Sequence, residues 1–205
     1  MLVIIDYGMG NLHSVLKAFK RLRIEAKVSA DKAEIQAADK LILPGVGHFE
    51  RGMENLNERG LIQTLNEEVL EKGKPILGIC LGMQLFTKYS EEGNTKGLGW
   101  LDAETVQFSF PEAEKKYRIP HIGWNSLNLG NESVLYRGMH ANPSFYFVHS
   151  YYVRSNNETD VAASTEYGLS FTSSMVKDNI FATQFHPEKS HDDGLKLLQN
   201  FVENA

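Results

Sequence analysis

Short apolar runs alternate with stretches of helical periodicity in the first half of the chain, and this alternation constrains the fold more than any other feature. The runs Leu2–Ile5, 41–43 and 75–79 have the length and the branched side chains of buried strands. Between them lie helical patterns, one beginning at an Asn11 cap and another covering residues 61–72. Strands that alternate with helices are typical of βαβ units, so the pattern predicts a parallel sheet flanked by helices.

The second half of the chain is richer in strand-like segments and aromatic residues. Strand patterns cover residues 104–110, 117–122, 144–153, 169–176 and 180–185. Polar turns join most of these segments, which favours an antiparallel extension of the same domain. Ser190 followed by Asp193 resembles a capping box that opens a final amphipathic helix. There is no internal repeat or linker, so we expect one domain over residues 1–205.

Composition and charge exclude several classes of protein. The 205 residues include 21 Lys and Arg against 26 Asp and Glu, and this net charge of −5 argues against a nucleic-acid binder driven by bulk charge. No apolar run approaches the ~20 residues of a membrane span, and the run at Leu2–Ile5 has no basic flank, so we expect neither a signal peptide nor an anchor. Cys80 is the only cysteine, which excludes an intramolecular disulfide and favours the cytoplasm.

The lone cysteine stands in a pattern that favours nucleophilic chemistry over the inert buried role that is usual for a single cysteine. Gly78-Ile79-Cys80-Leu81-Gly82 has the form G-x-C-x-G and lies where a predicted strand becomes a helix. This is a nucleophile elbow, in which glycines leave room around a strained residue exposed at the end of a sheet. The N–H of Leu81 then becomes a donor to an oxyanion.

A base for this nucleophile is found in Gln184-Phe185-His186-Pro187-Glu188, which follows the last predicted strand. In an extended segment residues i and i+2 face the same way, so the Glu188 carboxylate would hold the His186 imidazole. Taken alone, the segment also fits a surface histidine beside a helix-capping glutamate. Paired with the elbow, it predicts a Cys-His-Glu triad.

Two glycine-containing turns follow predicted strands. Pro44-Gly45-Val46-Gly47-His48 offers free backbone N–H groups for an oxyanion, although a simple tight turn is the alternative. Residues 6–11 lack the third glycine of a phosphate-binding loop and are interpreted as a strand–helix turn. His121 and His149 lie in strand-like aromatic segments and are interpreted as satisfied core or edge histidines. The other histidines lack ligand spacing, so we expect no metal and no cofactor.

With these residues in place, the chain resembles the class I (triad) glutamine amidotransferases. Residues 78–84 match the nucleophile motif of that family, and residues 184–190 match its His-Glu motif. Within the class, residues 6–11, 44–47, 121–125 and 147–151, together with Met83, most resemble the glutaminase subunits of imidazole glycerol phosphate synthase. The resemblance implies an α/β fold with a flavodoxin-like parallel sheet flanked by helices and an antiparallel β extension.

The resemblance also implies a role for particular residues. Cys80 would be the nucleophile, His186 the general base and then acid, and Glu188 the group that orients it. The other implied roles are an oxyanion hole at Val46, Gly47 and Leu81, glutamine binding at Gly45, Gln84, Glu92, Ser150 and Tyr151, and a partner interface at Gly123, Trp124 and Lys189. The implied partner is a cyclase subunit that receives ammonia and forms a heterodimer with this chain.

Three other functions remain open at this point. The chain could be the glutaminase of another amidotransferase, serving anthranilate, pyridoxal phosphate or guanylate synthesis. It could be a non-catalytic regulator on the same fold, or a cysteine hydrolase with a similar elbow. We also hypothesise that Val46 presents its N–H productively only when a liganded cyclase is docked, because glycines on both sides make its peptide easy to turn.

Overall fold

The computed structural model describes residues 1–111 and 116–205. The strands of these residues are β1 (Leu2–Ile5), β2 (Ala26–Ser29), β3 (Lys40–Gly45), β4 (Ile76–Cys80), β5 (Tyr89–Ser90), β6 (Thr95–Lys96), β7 (Ala103–Gln107), β8 (His121–Ser126), β9 (Asn128–Leu129), β10 (Ser144–His149), β11 (Tyr151–Ser155), β12 (Val161–Glu166), β13 (Ser170–Lys177) and β14 (Ile180–Thr183). The α-helices are α1 (Leu12–Arg21), α2 (Lys32–Ala37), α3 (Phe49–Glu58), α4 (Leu61–Asn66), α5 (Leu81–Leu85) and α6 (His191–Asn204).

The main sheet has a parallel part and an antiparallel part. Its parallel strands run in the order β2-β1-β3-β4-β14, which confirms the predicted parallel sheet. From β14 the sheet continues through β13, β11 and β7, each antiparallel to the one before. Strands β8 and β10 form a separate antiparallel pair. The predicted α/β fold with an antiparallel β extension is confirmed.

Buried side chains alternate across the sheet, so each face of it has its own core. In β1, Val3 and Ile5 pack into one core, whereas Leu2 and Ile4 pack into the other. This follows from the two-residue period of a strand and requires cover on both faces. Helix α1 supplies part of that cover, and Asn11 caps it as predicted, accepting a hydrogen bond from the Ser14 N–H at 3.1 Å.

Three predicted elements differ from the observed ones. The segment 144–153 is two strands, because the chain leaves the β8–β10 pair at Ser150 and enters the main sheet as β11. The segment 117–122 becomes a strand only from His121. The helix over 61–72 is α-helical only in α4 and continues as one wider π turn, where the carboxylate of Glu68 is buried between Lys72 and Lys74.

The predicted capping box at the start of α6 is wrong. The Ser190 hydroxyl donates to the carbonyl of His186 at 2.6 Å and accepts from the N–H of Tyr146 at 3.0 Å. The Asp193 carboxylate accepts from the Ser144 N–H at 2.9 Å. Both side chains accept from the backbone of β10 instead of capping the helix, and they tie the segment after β14 to that strand.

The junction between β4 and α5 requires glycine at position 82. The helix begins at Leu81, directly after the last strand residue. The first turn of α5 therefore packs against the neighbouring strand β3. A Cβ on Gly82 would lie 1.8 Å from the carbonyl oxygen of Leu43, which belongs to the strand backbone and cannot move aside.

We therefore expect Gly82→Ala to lower the free energy of unfolding by about 3 kcal/mol, because the added methyl group must displace β3 or α5. Urea unfolding of the two proteins measures the change. Gly130→Ala is the matched control, since a Cβ there meets its nearest atom, Val161 O, at 3.2 Å. Equal stabilities of Gly82→Ala and the parent would contradict the assigned packing.

Candidate active site

Three neighbouring parallel strands end at one edge of the sheet and bring the predicted site residues together. Strands β3, β4 and β14 are adjacent, with β4 in the middle. Gly45 of β3 is in register with Cys80 of β4, and His186 follows β14. Because carboxyl ends of parallel strands meet at the same edge, segments far apart in sequence converge there.

Cys80 has the strained backbone that the elbow pattern predicts. Its φ is +53° and its ψ is −106°, a conformation that costs of the order of 1–3 kcal/mol in a residue other than glycine. The thiol is 3.8 Å from the Gln184 side-chain nitrogen and 3.9 Å from the Val148 carbonyl oxygen. A Cβ on Gly78 would lie 2.5 Å from the ring of Phe86, so no larger residue fits beneath the turn.

His186 and Glu188 form a buried pair behind the cysteine. The Nδ1 atom of His186 lies 2.8 Å from Oε1 of Glu188, and each side chain is 2% exposed. Residues 187–189 form one 3₁₀ turn, so the contact depends on that turn rather than on the extended segment that we predicted. The other ring nitrogen, Nε2, is buried and has no hydrogen-bond partner within residues 1–111 and 116–205.

The charges of this group favour an ion pair. Burial lowers the pKa of His186, but the negative charge on Cys80, together with Glu188, outweighs it and raises the pKa to about 10. At neutral pH the imidazole is then protonated, and it lies in the electrostatic field of both Cys80 and Glu188.

A cleft of about 440 Å³ opens beside Cys80. It is lined by Val46, Gly47, Cys80, Leu81, Gln84, Glu92, Pro120, Val148, His149, Ser150, Tyr151 and Lys189. Most of the predicted site residues are therefore on its wall. Gly45, His186 and Glu188 lie beneath the wall, and Gly123 and Trp124 lie on β8 outside it. Sequence reasoning missed Pro120 and Val148, which carry no polar group that could have marked them, and His149, which was expected to be a core or edge histidine.

Two of the predicted glutamine-binding residues have partners in the chain. The side-chain nitrogen of Gln84 donates to the Tyr151 carbonyl at 3.0 Å and to the Gln184 side-chain oxygen at 3.2 Å. Oε2 of Glu92 accepts from the N–H of Phe49 at 2.8 Å, at the first residue of α3. Both side chains are therefore held in place at the cleft wall before any ligand enters.

A buried pair of histidines supports the wall at Tyr151. Nδ1 of His149 lies 2.8 Å from the Tyr151 carbonyl oxygen, which can only accept, so Nδ1 carries the proton. Nε2 of His149 then accepts from Nδ1 of His121 at 3.1 Å. Burial lowers the pKa of His149 to about 3 and that of His121 to about 4. Both are buried, neutral and hydrogen-bonded, which agrees with the expectation of satisfied core or edge histidines.

These two histidines make the fold sensitive to acid. In the unfolded chain each has a pKa near 6.5. Between about pH 6.5 and 4 the unfolded state therefore binds protons that the folded state does not bind, and the free energy of unfolding falls. We expect each to remove about 2 kcal/mol from the free energy of unfolding on going from pH 7 to pH 5. His186 adds little to the pH dependence of stability in this range. Folding raises its pKa, so its stabilising contribution is already fully present below its unfolded pKa.

Urea unfolding measured at several pH values tests this expectation. His149→Gln should show a shallower dependence on pH than the parent. His13→Gln, at an exposed position of α1, should keep the slope of the parent. An unchanged slope in His149→Gln would contradict the neutral, buried state of that ring.

The fold and the site together define a class of protein: an α/β chain with a strained cysteine on a strand–helix elbow and a buried histidine–glutamate pair at the same sheet edge. The family described as glutamine amidotransferase class-I matches residues 3–205. Solved structures agree in fold, with TM-scores of 0.75 for a glutamine amidotransferase (22% identity, 98% of this chain and 97% of that chain) and 0.74 for PurLQS from Thermotoga maritima (18% identity, 98% and 96%).

Sequence identity to curated relatives is much higher than to these solved structures. The chain is 48% identical over 205 residues to the imidazole glycerol phosphate synthase subunit HisH 2 of Methanococcus maripaludis, covering 100% of both. It is 50% identical over 203 residues to HisH 1 of Campylobacter jejuni, covering 98% of this chain and 99% of that one. The chain belongs to the class-I glutamine amidotransferase family and, within it, to the HisH subunits of imidazole glycerol phosphate synthase.

Proposed function

We propose that this chain hydrolyses glutamine to glutamate and ammonia, and that it supplies the ammonia to the cyclase subunit of imidazole glycerol phosphate synthase in histidine biosynthesis. The observation that carries the proposal is the strained Cys80 at the β4–α5 junction, beside the buried His186–Glu188 pair. The identity of 41–50% to HisH subunits over nearly the full chain supports it. Since the proposed nucleophile is a cysteine without a disulfide partner, we place this reaction in the reducing cytoplasm.

The chemistry follows from the charges of the site. The Cys80 thiolate attacks the side-chain amide carbon of glutamine, and the carbonyl oxygen becomes an oxyanion. The N–H groups of Leu81 and of the Val46–Gly47 segment are the proposed donors to it, each worth about 3 kcal/mol of barrier. His186 then gives its Nε2 proton to the leaving nitrogen, and ammonia departs from a glutamyl thioester.

The second half of the reaction uses the same residues in reverse. Neutral His186 takes a proton from water, which attacks the thioester carbon and releases glutamate from the Cys80 sulfur. Glu188 keeps the Nδ1–H of the imidazole in place, so that Nε2 faces the reacting atoms in both halves. The pair is too deeply buried for solvent to compete for either hydrogen-bonding group.

The ends of the substrate fit the opposite wall of the cleft. A carboxylate at Glu92 suits the α-amino group, and one of its oxygens remains for it because the other accepts from Phe49. The backbone at Ser150 and Tyr151 is the proposed site for the α-carboxylate, and the loop that begins at Gly45 is the proposed neighbour of the side-chain amide. Gln84 acts on this wall through its hydrogen bond to the Tyr151 carbonyl.

An exposed apolar surface beside the cleft is the proposed docking face for the cyclase. Ile122 and Trp124 of β8 are 58% and 48% exposed, and Ile119 just before them is 43% exposed. Ile122 is in register with Val148, which lines the cleft. Gly123 lies between the two exposed side chains, and Lys189 lies 5.8 Å from the ring centre of Tyr146, which is in register with Trp124.

The nucleophile is tested with Cys80→Ala in the presence of the cyclase subunit and its nucleotide ligand. We expect ammonia release from glutamine to fall at least about 10³-fold, because no other group can form the thioester. Docking to the cyclase should stay within about twofold of the parent, since Cys80 is only 6% exposed. Persistent ammonia release from the variant would refute the role of Cys80. An inactive parent with liganded cyclase would refute the proposed function.

The docking face is tested by titrating variants with the cyclase. We expect Trp124→Ala to weaken the complex about 30-fold, which is about 2 kcal/mol and typical of a buried interface tryptophan. Leu129→Ala is the matched control, because Leu129 is a similarly exposed apolar residue, 40% exposed, on β9. Equal affinities of the two variants would exclude β8 as the centre of the interface.

A further inference from the structure

Tyr7 is a buried tyrosine that has no role in the proposed reaction steps. It follows β1 and is fully buried, and it does not line the cleft. A Cβ placed on Gly45 would lie 2.3 Å from the Tyr7 hydroxyl oxygen, so this oxygen is in contact with the Gly45 backbone. Tyr7 therefore supports the glycine-rich loop from the side that solvent does not reach.

The hydroxyl of Tyr7 has no hydrogen-bond partner in the part of the chain that the structure describes. A buried polar group without a partner is destabilising, and phenylalanine would fill the same space without that penalty. Burial raises the pKa of Tyr7 far above its ordinary value, and the charge on Cys80 raises it further. The hydroxyl therefore keeps its proton and is a hydrogen-bond donor that lacks an acceptor in this conformation.

The peptide between Gly45 and Val46 can supply that acceptor. In a trans peptide the C=O and the N–H point in opposite directions. When the Val46 N–H points into the cleft, the Gly45 carbonyl therefore points away from it, into the protein. This oxygen stays about 2.4 Å from its own Cα however the peptide is turned. Because the Tyr7 hydroxyl lies against the same Gly45 backbone, rotation of this one peptide is enough to make the carbonyl its nearest acceptor candidate.

We propose that Tyr7 is a positioning residue whose hydroxyl donates a hydrogen bond to the Gly45 carbonyl and so stabilises the loop with the Val46 N–H directed at the oxyanion. The proposal rests on the proposed glutaminase function. It explains why a hydroxyl is kept where the present loop conformation leaves it unpaired. Glycine at position 45 is required by the same contact, because any side chain would occupy the place of the hydroxyl.

The test is Tyr7→Phe in the full chain, assayed with the cyclase subunit and its nucleotide ligand. We expect kcat for glutamine hydrolysis to fall about tenfold, equivalent to about 1.4 kcal/mol of lost transition-state stabilisation. KM for glutamine should stay within about twofold, because Tyr7 does not touch the cleft. The melting temperature of the chain alone should be unchanged or higher, because the variant removes an unpaired buried hydroxyl.

Tyr136→Phe is the matched control. Tyr136 is also a buried tyrosine, 8% exposed, and it is absent from the cleft wall. We expect its kcat to equal that of the parent.

A Tyr7→Phe enzyme with the kcat of the parent would overturn the proposal, and so would a lower melting temperature accompanied by a raised KM. If the parent is active and Tyr7→Phe gives one of these results, the role of Tyr7 is refuted but the glutaminase function is not. An inactive parent overturns both.

Discussion

The parallel pairing of β3, β4 and β14 is the constraint on which the rest of the site depends. It places Gly45 beside Cys80 and the segment after β14 next to both, although these segments are separated by 35 and more than 100 positions in the sequence. A shift in register would move the Gly45 loop, Cys80 and His186 relative to one another. The contact of Gly82 with the Leu43 carbonyl holds the elbow against β3, so the sheet and the site are built by the same contacts.

Electrostatics within this frame depend on burial. Glu188 and His186 are almost fully enclosed, so their interaction is weakly screened and the imidazole keeps its proton beside Cys80. The nearby His149 and His121 are enclosed as well, but no carboxylate of residues 1–111 and 116–205 raises their pKa, and they stay neutral. One edge of the sheet thus holds a charged histidine and two neutral ones, and the difference between them is the position of Cys80 and Glu188.

The sequence predicted the parts of the fold that depend on neighbouring residues. The buried strands could be read from apolar runs, the Asn11 cap from its position before a helical stripe, and the elbow from the two glycines around Cys80. The break at Ser150 could not be read, because residues 144–153 are uniformly strand-like and only pairing partners divide them between two sheets. The capping box failed for a related reason, since Ser190 bonds to His186 and Tyr146 instead.

The sequence by itself therefore determined the fold class, the family and the identity of the proposed catalytic residues, because these depend on short motifs and on local periodicity. Only the tertiary structure decided which residues line the cleft, Pro120 and Val148 among them. It alone also decided that the Tyr7 hydroxyl lies against Gly45 with no hydrogen-bond partner among the described residues. Those facts depend on contacts between segments distant in the chain. Such contacts are set by strand order, register and close packing, which no local pattern encodes.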